Sequence, residues 1–126
     1  MEKSEFILVH MIMASSTILP AFLMHFIDID EPNKLVGYRT KWSMKSEETW
    51  KFAQKYSSKL MWGAAAISIT VQVFSVFIFE RETSIIVAVA VFTVAMMAAI
   101  VITERQLRLR FNKDGTPKSN EHKDLI

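Results

Sequence analysis

The chain contains no cysteine, which excludes disulfides, thiol catalysis and cysteine-ligated metals. Charge is missing over three long stretches: no Asp, Glu, Lys or Arg occurs in Phe6–Ile27, Leu60–Phe79 or Ser84–Thr103. Each stretch is roughly 20 residues, which as a helix rising about 1.5 Å per residue matches the roughly 30 Å hydrocarbon layer of a bilayer. Helices of a small soluble domain normally carry a polar face, and these runs have none of that length. The averages hide this segregation, with 51% hydrophobic residues, 22% charged residues and a mean hydropathy of +0.22. The sequence therefore predicts an all-α integral membrane protein with three transmembrane helices, at about 6–27, 60–79 and 85–103.

Other absences narrow the function. There is no Ser/His/Asp arrangement, no phosphate-cradling glycine loop and no HExxH motif, so no enzyme activity, cofactor or metal is expected. Asp28, Asp30 and Glu31 are hard-cation ligand types, but acids beside Pro32 read as a solvated helix end. The formal charge of +2 and pI near 9.0 are modest, so nucleic acid is not an expected partner; the lipid bilayer is. The segment Met1–Glu5 is not basic, the apolar run after it is too long for a signal peptide's core, and no small-x-small cleavage site follows. The first run thus reads as a retained span.

The basic residues make sense as topology signals. The connection between spans one and two, Asp28–Lys59, and the tail after Thr103 together carry 13 Lys and Arg, against only Lys3 and Arg81 on the other side. The positive-inside rule then places the connection and tail in the cytoplasm, with the N-terminus and the Glu80–Ser84 hairpin outside. Residues 1–103 form the membrane domain and 104–126 the tail, whose Asn112–Pro117 segment breaks any helix and which is expected to be disordered from Thr116 onward. Within the connection, Ser46 is a candidate cap, and Glu47 and Glu48 suit the positive end of a helix dipole. The Glu47–Lys59 stretch, with Trp50, Phe52 and Tyr56 beside a Lys51, Lys55, Lys59 stripe, predicts an amphipathic helix between spans one and two. Such a helix suits the membrane interface, with Trp50 in the aromatic belt and the lysines at anionic headgroups. The alternative is a plain N-terminal extension of span two.

Polar residues inside spans are functional candidates. On span one His10, Ala14, Thr17, Ala21 and His25 share a face, and Pro20 removes one helix hydrogen bond. On span two Ala64, Ser68, Gln72 and Ser75 do the same, and on span three Ala88, Phe92, Ala95 and Ala99. Small residues and a glutamine that needs a partner point these faces into a bundle. No acidic residue accompanies His10 and His25 within the spans, so helix packing explains them better than proton or metal work. Three helices barely enclose a site, which leaves room for a homodimer.

The most distinctive stretch is Asn33-Lys-Leu-Val-Gly-Tyr-Arg-Thr-Lys-Trp-Ser-Met-Lys-Ser-Glu-Glu-Thr-Trp50, continuing to Gln54. It resembles the SdpI/YfhL family of bacterial membrane proteins, in a short, three-span form. The family signature is a Gly-x-Arg-Thr turn, a Ser or Thr three residues on, and a helix bearing a Trp, ahead of a pair of spans. The matching positions are Gly37, Arg39, Thr40, Ser43 and Trp50, with Tyr38 inside the motif and Asn33 upstream. The resemblance implies immunity to, or signalling of, an antimicrobial peptide toxin, with a toxin peptide or a regulatory protein as partner. A second reading is a small accessory or structural subunit that packs against another membrane protein. Physically, Gly37 permits a tight turn, Arg39 carries a fork for a carboxylate, phosphate or carbonyls, and Thr40 and Ser43 are helix-capping types.

Overall fold

The computed structural model describes residues 1–26, 32 and 35–118. Among these, three helices are long and apolar enough to cross a membrane: α1 (Lys3–His25), α2 (Glu47–Ile78) and α3 (Arg81–Arg110). The protein is a multi-pass, all-helical membrane protein. The described residues contain no sheet, only an isolated bridge between Phe111 and Pro117.

Each helix start has a local cause. Glu2 and Glu5 form a reciprocal capping box at the head of α1. Ser46 and Thr49 do the same for α2: the Thr49 amide donates to Ser46 Oγ (3.1 Å) and the Ser46 amide to Thr49 Oγ1 (2.9 Å). Glu47 and Glu48 occupy the first turn, where the helix dipole favours negative charge. The turn between α2 and α3 is tighter than the Glu80–Ser84 hairpin read from the sequence. Helix resumes at Arg81, directly after Phe79 and Glu80. The amide of Ser84 already donates to the Glu80 carbonyl.

The separate amphipathic helix expected between spans one and two is not present among the described residues. Its residues are the first turns of α2, which runs unbroken for 32 residues because no Gly or Pro interrupts Glu47–Leu60. At about 1.5 Å per residue α2 is roughly 48 Å long, and the 30 residues of α3 give roughly 45 Å. Both exceed a hydrocarbon layer of about 30 Å. The excess lies at one end, in residues 47–59 of α2 and 104–110 of α3, where the connection also lies.

The helices pack α2 against α3 most extensively, with α1 lying against α2 more than against α3. Side chains buried inside the spans are small or polar, such as Ala21, Ala64, Ala65, Ala88 and Ala99, while Leu8, Phe74, Phe77, Ile86 and Val94 point outward. Without a water-driven hydrophobic force between helices, close approach through small residues is the available source of packing energy. Among the described residues, Met24, Tyr38, Ala53, Leu107 and Phe111 form one buried hydrophobic group at the protruding end.

Helix α3 ends where the Asn112–Pro117 segment is expected to break it. Residues 111–118 form an ordered reverse turn: Asn112 donates to the Thr116 carbonyl and the Lys118 amide returns to the carbonyl of Arg110. Asp114 holds the turn by accepting from the amide (3.0 Å) and hydroxyl (2.6 Å) of Thr116, bonds that draw its carboxyl below the ordinary aspartate range. The tail beyond Lys118 lies outside the described residues.

Candidate functional site

The sequence motif folds into a buried knot against the protruding ends of α2 and α3. Gly37 has φ +114°, in the region closed to most L-residues. A Cβ there would sit 2.8 Å from Gln54 Oε1 and 3.1 Å from the ring of Trp50. Glycine is thus needed twice, for its backbone and for its missing side chain. The close approach lets Gln54 act as a surrogate strand. Its Oε1 accepts from the Tyr38 amide at 2.8 Å and its Nε2 donates to the Tyr38 carbonyl at 2.8 Å.

Ser43 closes the turn that follows. The Thr40 amide donates to Ser43 Oγ (2.7 Å), the Ser43 amide donates to Thr40 Oγ1 (3.2 Å), and Ser43 Oγ reaches the Tyr38 carbonyl (3.0 Å). Thr49 then links this turn to the α2 cap by donating to the Ser43 carbonyl at 3.1 Å. Two longer tethers complete the knot. The Tyr38 hydroxyl donates to Glu104 Oε1 on α3 at 2.8 Å, and burial together with that carboxylate pushes its phenol well above the ordinary tyrosine range. Ser46 Oγ donates to the Gly115 carbonyl at 2.8 Å, and Lys45 Nζ to that of Lys113 at 2.6 Å, so the tail turn sits over the start of α2.

Two motif residues stand outside this hydrogen-bond network. Trp50 is completely buried against Gly37 rather than standing in an aromatic belt at the lipid surface, and its Nε1 has no hydrogen-bond partner among the described residues. The physical reason is the connection itself, which folds over the α2 face that a free interfacial helix would offer to lipid. Arg39 is exposed, and among the described residues it has no hydrogen bond or ion pair. Its guanidinium is therefore presented outward from a rigid turn. Asn33, with Asp28, Asp30 and Glu31, lies outside the described residues.

At the opposite end, polar span residues meet in a second cluster. Gln72 Nε2 on α2 donates to His10 Nδ1 (2.9 Å) and to the His10 carbonyl (2.8 Å) on α1. His10 Nε2 lies 3.2 Å from Ser84 Oγ on α3. With Nδ1 accepting, the neutral Nε2–H tautomer donates to Ser84, which itself donates to the Arg81 carbonyl at 2.7 Å. Ser75 is buried beside them and donates to the Gln72 carbonyl at 2.8 Å. The arrangement ties all three helices together and leaves the imidazole in a hydrogen-bonding role.

Thr17 is buried and bonded to its own helix through the Met13 carbonyl. His25 is exposed at the end of α1, edge-on to Phe26, and Met24 takes the inward position instead. Ser68 is buried without a hydrogen-bond partner among the described residues, beside a pocket of about 110 Å³ that Thr17, Gln72, Ala88 and Phe92 also line.

Sequence reasoning missed Gln54, Thr49, Glu104, Ser84 and the Gly115 turn. Gln54 carried a signal, since it stands one helical turn after Trp50 in a stretch otherwise rich in lysine and aromatics. Glu104 and Gly115 carried none, because their partners are more than sixty positions away.

A family model described as the SdpI/YfhL protein family matches residues 30–103. The match takes in the Gly37–Gln54 turn, α2 and most of α3, and ends before Glu104 and the tail turn that tether the knot. No curated protein and no solved structure matches the chain.

Proposed function

The chain belongs to the SdpI/YfhL protein family, and from that membership we propose that it confers immunity to, or signals the presence of, a membrane-active peptide toxin. The observation that carries this reading is that the family match spans the Gly37–Gln54 knot and the two spans it braces. In this mechanism the spans meet the toxin. The small pocket beside Ser68 offers a hydroxyl without a partner among the described residues, and the Phe92 side chain, to a peptide entering between the helices. The knot keeps α2 and α3 in fixed relation on the far side, and the exposed Arg39 is the contact for a regulatory protein. No step in this reading requires an enzyme activity.

The orientation proposed is N-terminus outside and C-terminus cytoplasmic, on the asymmetry of 13 to 2 basic residues. Single cysteines at Thr83→Cys and Lys113→Cys test it: an impermeant thiol reagent on intact cells should label the first only. Labelling at 113 without labelling at 83 reverses the orientation.

The functional test is expression of the full chain in a susceptible bacterium, followed by challenge with a panel of membrane-active peptides. Survival should rise for at least one peptide, and Gly37→Ala should abolish the gain. Unchanged survival across the panel, with the protein confirmed in the membrane, refutes the proposal. A second reading, an accessory subunit packing against another membrane protein or a second copy, is favoured by one observation. The outer face carrying Ile67, Ala90, Val94 and Ala98 forms a shallow groove lined by apolar residues. A fixed membrane partner recovered on purification would select it.

A further inference from the structure

A groove of about 520 Å³ lies between the first turns of α2 and the tail turn. One wall is the lysine stripe Lys51, Lys55 and Lys59, one cation per helical turn. Arg110 and Lys118 stand across from it, and Glu48 is the one acid among the lining residues. Among the described residues the three lysines make no hydrogen bond or ion pair, whereas Lys118 Nζ donates to the Arg108 carbonyl at 2.9 Å.

The floor is aromatic. Phe52 and Tyr56 stack at 5.3 Å, Phe111 meets Phe52 edge-on at 5.7 Å, and the Arg110 guanidinium lies 4.9 Å over the Phe52 ring. The groove thus pairs a strong excess of positive charge with an aromatic surface.

Its height along α2 says what fits it. Lys59 adjoins Leu60, the first residue of the uncharged run. At about 1.5 Å per residue, Lys55 lies roughly 6 Å and Lys51 roughly 12 Å farther out. The polar layer on each side of the hydrocarbon is about 5–8 Å thick, so Lys55 and Lys59 stand at the level of lipid phosphates. We infer that this groove binds the headgroup of an anionic phospholipid, its phosphate held by Lys55 and Lys59 and its upper acyl segment against Tyr56 and Phe52. Cations with no partner among the described residues, at phosphate depth beside an apolar floor, match the two halves of such a lipid. A water-soluble anion would use only the first half. The inference does not depend on the toxin reading.

The test uses the full chain in neutral detergent, titrated with pyrene-labelled phosphatidylglycerol or phosphatidylcholine. Phosphatidylglycerol should bind about twenty-fivefold more tightly, as two neutralised lysines at about fivefold each require. The Lys51→Gln/Lys55→Gln/Lys59→Gln variant should lose affinity by at least about twenty-fivefold at low salt, the figure for the two lysines at phosphate depth. A control of equal charge change on the same side, Lys41→Gln/Arg105→Gln/Lys113→Gln, should stay within about threefold of the native protein, because those groups lie outside the groove. Millimolar inorganic phosphate should not displace the lipid. Absence of the headgroup preference, equal losses in both variants, or displacement by phosphate each overturns the inference. Should the triple variant fail to fold, Lys55→Gln alone, at an exposed position, reads the expected fivefold loss.

Discussion

Replacing Gly37 with alanine adds one methyl group at the tightest point of the knot. Two costs follow. The backbone at φ +114° is strained for any L-residue, by about 1–3 kcal/mol. The new Cβ at 2.8 Å from Gln54 Oε1 also forces that amide away from the Tyr38 backbone. Tyr38 would then keep one acceptor contact, since its carbonyl also receives Ser43 Oγ, but its amide would lose its partner. An orphaned buried donor costs about 1–3 kcal/mol. Gly37→Ala should therefore weaken the knot by about 2–6 kcal/mol. Gln54→Ala alone incurs the second cost without the first. In the double variant the clash with the amide is gone, so the losses should fall short of additivity by about 1–3 kcal/mol. Hydrogen exchange at the amides of Tyr38–Met44, measured on the full chain in nanodiscs, reads the opening free energy of this segment. Strict additivity, or a Gly37→Ala cost below about 0.5 kcal/mol, would refute the account of the glycine.

Arg39→Lys should leave that exchange pattern unchanged within about 0.5 kcal/mol, because the exposed guanidinium has no partner among the described residues, and yet reduce protection against a toxin. Loss of the fold in this variant would place the fork inside the structure. With Trp42 and Trp62 changed to Phe, Trp50 emission should be blue-shifted and resist both aqueous iodide and quenchers on the upper acyl chain, since the ring is fully buried in protein; efficient quenching by either refutes its burial. Tyr38 should remain un-ionised through pH 10–11 when followed at 295 nm in a Tyr56→Phe background. Its folded pKa is raised, so its contribution to stability is complete below the unfolded value of about 10 and is lost as pH climbs from there through the folded value. Glu104→Gln removes the charge that helps hold the phenol up and should lower its titration point.

The three spans were legible because the bilayer imposes its constraint locally. A helix must satisfy its own backbone in lipid, so an uncharged run of the right length identifies itself without reference to any other part of the chain. The cap at Ser46 was equally local, since its partner Thr49 is three residues away. Gly37 was legible as a turn, but its second role was not, because the obstacle is a side chain seventeen positions later.

Periodicity placed Lys51, Lys55 and Lys59 on one stripe and Trp50 on another, and both stripes exist. Which one meets lipid depended on where the connection folds. A helix pattern reports which residues share a face, whereas only tertiary structure decides what covers that face. Here the connection covers the Trp50 face, held in place by bonds such as Tyr38 to Glu104 and Ser46 to Gly115 that span more than sixty residues. The same holds within the membrane. Gln72 had to find a partner for physical reasons stated by its own chemistry, but that the partner is His10, and that Ser84 completes the cluster, follows from how three helices assemble.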